Sequence, residues 1–389
     1  MPVPNAAAVG KTKVVIVGGG LGGLACARRL AKRDGDLDVH LVDRKSHHHF
    51  PPSFPWVAVG KRRGRAGAAP HPLARLVRRG IRFTETEVTG MDLDRGAIST
   101  SSGEIPYDQL VLAPGATLAP ESVEGLAEAA HGFYTLPDAE RLHDALVTFG
   151  GGRVLIAVVA APYRSLAAPY EAAFLIDDFL RKGGVAAKVD VITAEPRPIP
   201  VADRQAGDRV AGMLERRGIG FQPDRQVESV DPGTREVRFS DGSEPFDLLI
   251  AVPPHRAPHF VAASPLAGPN GWLRAEPFTL SVHSNVHAIG DVTEIELSGG
   301  SKLPKAGVLA QAEAAVVADN IATRTAGYRP RREFEGSLDY YLEVGSGRAA
   351  GVKGYFYRSP RGRLRIRRPA RRRHRDKILF ERRSLRQLR

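Results

Sequence analysis

The run Gly18-Gly19-Gly20-Leu21-Gly22-Gly23 constrains this chain more than any other segment. It follows Lys13 to Val17, a continuous β-branched stretch that reads as a buried parallel strand. It opens a helical pattern with Leu24, Ala27 and Leu30 on one face. A second strand, Asp38 to Val42, ends at Asp43, 20 residues beyond Gly23. Glycines at 18, 20 and 23 in that setting form a dinucleotide-binding fingerprint. Gly18 serves the tight turn, Gly20 the approach of backbone to a pyrophosphate, and Gly23 the close packing of helix on strand. The helix N-terminus attracts phosphate. Asp43 would accept hydrogen bonds from ribose hydroxyls and repel a 2′-phosphate.

Strand and helix patterns continue beyond this unit. Phe50 to Trp56 reads as a proline-rich loop, Arg63 to Ala69 as a basic connection, and Pro72 to Arg79 as a short helix. Strands are expected over Ile81 to Met91, Ala97 to Ser99 and Tyr107 to Ala113. Arg153 to Val159 begins a second strand–helix unit, with a helix over Tyr170 to Arg181 and a strand over Lys188 to Ile192. Asp203 to Arg217 is amphipathic and helical. Strands follow at Glu236 to Phe239, Leu248 to Val252 and Val286 to Gly290, then an alanine-rich helix over Lys305 to Thr323. The expected class is α/β. Two Rossmann-like dinucleotide-binding domains are expected, the second inserted in the first, with a small basic C-terminal region. The expected divisions are 1–150 for the first part of the first domain, 151–275 for the inserted domain, 276–328 for the return, and 329–389 for a hairpin and basic tail.

Composition narrows the chemistry. A chain of 389 residues, 25% of them charged, supports several packed cores. Its single cysteine, Cys26, excludes an internal disulfide and a cysteine zinc site. No signal peptide is read before Lys13, and no apolar run approaches the length of a membrane span. The expected location is cytoplasmic, with peripheral attachment to the inner face of the cell membrane. His47-His48-His49 does not read as a metal site, because three consecutive loop side chains cannot all face one ion. A solvated or phosphate-facing loop is expected there.

Ala113-Pro114-Gly115 and Ala288-Ile289-Gly290-Asp291 both close buried strands. Together with Gly18 to Gly23 and Asp43, they resemble the two-dinucleotide-binding-domain flavoproteins. Three further stretches are similar to the sulfide:quinone oxidoreductases and flavocytochrome c sulfide dehydrogenases: Pro52 to Gly60, Leu303-Pro304-Lys305-Ala306-Gly307, and His374-x-x-Lys377-x-x-Phe380-Glu381. The resemblance implies non-covalent FAD. It places the ADP half on the first fingerprint and the ribityl chain on Asp291, with Gly19, Gly22, Arg44, Pro55, Val88, Ala113, Gly115 and Gly290 also around the cofactor. It implies that Lys305 and a helix N-terminus face the flavin pyrimidine ring, where they would stabilise negative charge.

The departures from that pattern are specific. The sulfide enzymes use redox cysteines, and the matching positions here hold Tyr134, Ser165 and Tyr340. Without a thiol, no persulfide can form on this chain. These three residues and Lys305 are the candidates for catalytic or flavin-lining roles. The second unit reads Ala160-Ala161-Pro162-Tyr163-Arg164-Ser165 after its strand, with no glycine for a pyrophosphate, which disfavours NAD(P)H. The leading expectation is an FAD-dependent oxidoreductase carrying electrons from an unidentified small-molecule donor to a quinone-like acceptor. The alternatives are an NAD(P)H-dependent flavin or quinone reductase and a non-catalytic redox sensor. Donor, acceptor and oligomeric state are not legible.

The charge is concentrated at one end. Of a net +13, residues 361–389 carry +12. Strands are expected over Gly351 to Arg358 and Arg363 to Arg368, around a turn at Ser359 to Gly362. A helix after Pro369 would then present Ile378, Leu385 and Leu388 on one side. Such a basic amphipathic end reads as an anchor on anionic lipid. Nucleic-acid binding and a partnerless tail are the competing, less favoured readings.

Overall fold

The computed structural model describes residues 10–33, 36–62, 70–357 and 363–387. The expected connection at 63–69 and the expected turn at 359–362 lie outside these residues. Two parallel sheets organise the molecule. The first has the spatial order Ser281–His283, Val286–Ala288, Gln109–Leu112, Thr12–Val17, Leu37–Asp43 and Arg82–Glu85. Only its first pair is antiparallel. The second has the order Ala130–His131, Leu248–Val252, Gly152–Val158, Ala187–Thr193 and Gly220–Gln222, all parallel. The α/β class with one unit set inside another follows, since Val286–Ala288 returns to pair with Gln109–Leu112.

The central strands are covered on both faces, which explains their continuous rather than alternating apolar pattern. Val14 to Ile16 and Val154 to Ile156 are inaccessible to solvent. The helix Gly307–Thr325 packs across Leu21–Leu30. There Asp319 accepts from Arg29 at 2.6 and 2.8 Å and also from Arg33 and Arg332. Each unit also carries an antiparallel meander. One is Val88–Asp92, Ala97–Thr100 and Gly103–Pro106; the other is Ser229–Asp231, Glu236–Phe239 and Gly242–Pro245. The strand expected over Ile81 to Met91 is therefore two strands in two sheets. The chain changes sheets at Thr86, a buried residue whose hydroxyl bonds those of Ser101 and Ser102.

Two other expectations are revised. Phe50 to Trp56 is not a loop but a short turn, Pro51–Ser53, leading into the helix Phe54–Ala58. Proline suits the first helical turn, and Phe54, Trp56 and Val57 bury against the core. The C-terminal hairpin is a three-stranded sheet, Ser337–Glu343, Ala349–Tyr355 and Arg363–Ile366. The added strand, SLDYYLE, alternates too poorly to be read as one. A helix, Arg371–Gln387, follows and turns back onto the body.

Candidate active site

A cavity of about 1200 Å³ runs past the C-terminal ends of the first sheet's strands. Every residue expected at the cofactor or in catalysis lines it except Gly23, which packs against Gly18. A Cβ at Gly23 would overlap the carbonyl oxygen of Gly18, so helix and strand can meet only through a glycine. Gly18 itself turns the chain at φ +104°. A Cβ at Gly20 would meet nothing within 4 Å and would project into open space. The backbone is bare at the point where a pyrophosphate needs it.

Asp43 ends the second strand and shapes this end of the cavity. Its carboxylate accepts the Gly19 N–H at 2.5 Å and the Lys45 N–H at 2.7 Å. Arg44 lines the cavity beside it, within 3.7 Å of Glu87. Of the histidine run, His48 is not solvated but buried. Its Nδ1 donates to the Gly19 carbonyl at 2.9 Å, and burial pushes its pKa down to about 4. A neutral imidazole thus backs the glycine loop. No cluster of metal-ligating side chains occurs among the described residues.

At the middle of the cavity Asp291 follows the strand Val286–Ala288. Its Oδ1 is buried and has no hydrogen-bond partner in the protein. Burial raises its pKa, against the opposing fields of Arg164 and Lys305. An orphaned carboxylate oxygen is costly unless a ligand donor meets it. A ribityl hydroxyl would supply such a donor, so Asp291 and the bare glycine loop both fit FAD. Behind it the buried Glu313 accepts the Gly290 N–H at 2.5 Å, and burial pushes its pKa up to about 7.

Lys305 is placed differently from the sequence expectation. Its Nζ donates to the carbonyls of Asp291 (2.7 Å) and Thr293 (2.9 Å) and lies 3.5 Å from the centre of the Trp272 ring. A buried ammonium must satisfy its donors, and here protein carbonyls do so. Burial lowers its pKa to about 8. It holds the Asp291 turn in place, and the start of the helix Gly307–Thr325 faces the cavity beside it.

The residues at the missing cysteine positions all face this same cavity. The Tyr134 hydroxyl donates to the Arg164 carbonyl at 2.9 Å, and Arg164 Nη2 returns a bond to the Tyr134 carbonyl at 3.3 Å. Ser165 takes a left-handed backbone conformation, φ +62°, and its N–H donates to the Lys305 carbonyl at 2.7 Å. The Tyr340 hydroxyl is buried without a partner. Burial raises both phenols, so each is a neutral donor.

The tail helix carries the motif His374, Lys377, Phe380 and Glu381, and three of these side chains bond across the fold. Lys377 Nζ donates to Glu171 Oε1 at 2.5 Å, and Glu171 Oε2 accepts the Glu343 N–H at 3.1 Å. His374 Nδ1 meets Glu343 at 2.8 Å. Glu381 accepts from Ser53 at 2.5 Å and from Arg62 at 2.7 Å. Arg62 and Lys377 lie 4.4 and 4.7 Å from the centre of the Trp56 ring. The inward face is therefore His374, Lys377, Glu381 and Ser384, and the expected apolar face is corrected. Ile378 packs on the core, Leu379 is the exposed apolar residue, and Leu388 lies outside the described residues. Spacings of three and four do mark one helical face. The motif was legible but its contacts were not, because its partners lie 206 and 328 residues away.

A parallel-sheet unit with a glycine loop, an acid at the end of its next strand and a second acid at a returning strand defines an FAD-dependent oxidoreductase. The chain belongs to the pyridine nucleotide-disulphide oxidoreductase family, whose model matches residues 12–317. It is 25% identical to the mitochondrial sulfide:quinone oxidoreductase of Mus musculus over 354 residues, 86% of this chain and 76% of that protein. It is 28% identical over 269 residues to the type II NADH:quinone oxidoreductase Ndh of Mycobacterium tuberculosis, covering 62% of this chain and 56% of that one. The X-ray structure of the Aquifex aeolicus sulfide:quinone oxidoreductase superposes with a TM-score of 0.86 at 25% identity, covering 97% of this chain and 91% of that one. Against this background the single cysteine stands out. Cys26 is fully buried in the first helix, and burial pushes its thiol up to about 12.

Proposed function

We propose that this enzyme passes electrons from a small-molecule donor to a quinone, with FAD supplying the two-electron redox chemistry between them. Both named classes of relative act on quinones, as their names state. The observation that carries the reading is the Lys377–Glu171 pair opening onto an aromatic end of the cavity. Phe50, Trp56 and Phe380 wall that end, with Phe50 and Phe380 6.2 Å apart between ring centres. Quinone reduction consumes protons as well as electrons. Lys377 would donate to a quinone oxygen, and Glu171 would hold the ammonium in place. Burial raises the Glu171 pKa against the opposing pull of Lys377.

In this reading the amides of Gly18, Gly19, Gly20 and Gly22 hold the pyrophosphate and Asp43 the ribose. Arg44, Pro55, Val88, Ala113, Gly115 and Gly290 flank the cofactor, and Asp291 takes the ribityl chain. Tyr134, Ser165 and Tyr340 wall the donor side. The absence of a cysteine from the cavity argues against sulfide oxidation through a persulfide on this chain. No helix among the described residues is long and apolar enough to cross a membrane. The arginines exposed on the tail would hold the protein at an anionic bilayer surface, where quinones reside.

The test separates the quinone step from the unknown donor. Dithionite-reduced protein, mixed anaerobically with a soluble quinone, is expected to reoxidise within one turnover. Lys377→Met is expected to slow this about a hundredfold, as loss of a general acid does. No reoxidation by quinone would refute the acceptor. Equal rates in both proteins would refute the role of Lys377.

A further inference from the structure

Away from the main cavity, a hollow of about 290 Å³ opens beside the C-terminal sheet. Arg367, Arg372, Arg373 and Lys353 line it, against two carboxylates, Asp339 and Asp376. Lys353 already pairs with Asp339 at 3.1 Å. Neither Arg367 nor Arg372 forms an ion pair among the described residues, and Arg373 donates to the Arg368 carbonyl.

The fold forces these guanidiniums together. Arg367 is fixed beside Gly351 by its N–H, which donates to the Gly351 carbonyl at 2.9 Å. Arg373 comes from the first turn of the tail helix. A Cβ on Gly351 would meet Arg373 Cδ at 3.3 Å and Arg367 Cδ at 3.8 Å, so both stems cross the same glycine. Burial, then the neighbouring Arg372 and Arg367, holds Arg373 below its ordinary pKa. Four cations face two carboxylates in this hollow, and such an excess of like charge opposes folding. The fork of an arginine matches the oxygens of a phosphate, which a cluster of forks can grip from several sides.

We propose that this hollow binds a phosphate group, held by Arg372 and by Arg367 and Arg373, whose stems Gly351 lets converge. The phosphate is either a free anion or the headgroup of a lipid. The proposal does not depend on the quinone reading.

The full chain with its FAD is titrated with inorganic phosphate by calorimetry and floated with vesicles of phosphatidylcholine alone or with phosphatidic acid. The key variant is Arg367→Lys/Arg372→Lys, which keeps the charge and removes the forks. It is expected to weaken binding about tenfold, because lysine does not replace arginine where planar recognition matters. Arg382→Gln/Arg383→Gln removes exposed charge further along the helix and is expected to leave phosphate affinity unchanged. Retained flavin absorbance shows that each variant is folded. Phosphate binding that drops in the lysine variant, without preference for phosphatidic acid, supports the site and identifies a free anion. Vesicle binding that needs phosphatidic acid and drops in the lysine variant supports the site and identifies a headgroup. Binding of neither, or equal binding by wild type and the lysine variant, would overturn the proposal.

Discussion

The two parallel-sheet units share a path through space but not a fate. In the first, Thr12–Val17 runs into glycines, and Asp43 closes the next strand with its carboxylate turned to the loop. In the second, Gly152–Val158 runs into Ala160, Ala161, Pro162 and Tyr163. The Tyr163 hydroxyl donates to Glu195 Oε2 at 2.9 Å, just past the strand Ala187–Thr193. Tyr163 and Tyr170 are both buried. The loop after Gly152–Val158 carries a buried aromatic ring where the first unit's loop carries glycines. Topology is thus common to both, and the glycine loop that suits a pyrophosphate belongs to the first unit alone.

The comparison breaks most severely at Gly23. Gly23→Val is expected to abolish recovery of yellow, folded protein, whereas a valine at Ala160 in the second unit should not. Flavin absorbance and circular dichroism of the two variants decide this. Asp43→Ala is expected to raise the FAD dissociation constant about tenfold to a hundredfold, the range for a hydrogen bond to a charged group. Glu195→Ala should leave FAD affinity unchanged, and equal losses in both would mean the units are not divided in function.

A smaller effect concerns pH. Burial pushes the Glu195 pKa up to about 7 from an ordinary 4.5. A carboxyl whose pKa is raised on folding gives stability that is full below about 4.5 and is lost as pH rises through about 7. Glu195→Gln should therefore flatten the loss between those values, by on the order of 3 kcal/mol. Denaturant midpoints across that range test it, and parallel curves for both proteins would exclude the coupling. The smallest effect is expected from nicotinamide. NADH should bleach the flavin negligibly in the wild type and only severalfold faster in Tyr163→Gly, since removing the ring does not restore the glycines. Rapid bleaching of the wild type would collapse the distinction and favour a nicotinamide donor.

The sequence displayed what is local. Gly18, Gly20, Gly23 and Asp43 stand within one strand–helix–strand, so their geometry follows from spacing alone. The meander strand Val88–Asp92 and the strand Ser337–Glu343 were obscured because buried and exposed positions do not alternate there. The site was legible wherever a motif sits at a strand end, as at Ala113 and Asp291. It was opaque for Glu171, His374 and Glu381, whose meaning lies in distant partners. Lys305 was located by its motif, but its ammonium follows two carbonyls that only the folded turn provides.

The tail helix bears on how the protein is made. Its inward side chains join Glu171 of the second unit, Glu343 of the last sheet, and Ser53 and Arg62 of the first unit. These anchors are spread along the polypeptide and all emerge from the ribosome before residues 371–387. Until then one wall of the cavity is missing and the aromatic end around Trp56 lies open. The cavity is therefore complete only once this last helix has docked, since Lys377, Phe380 and Glu381 form part of its lining.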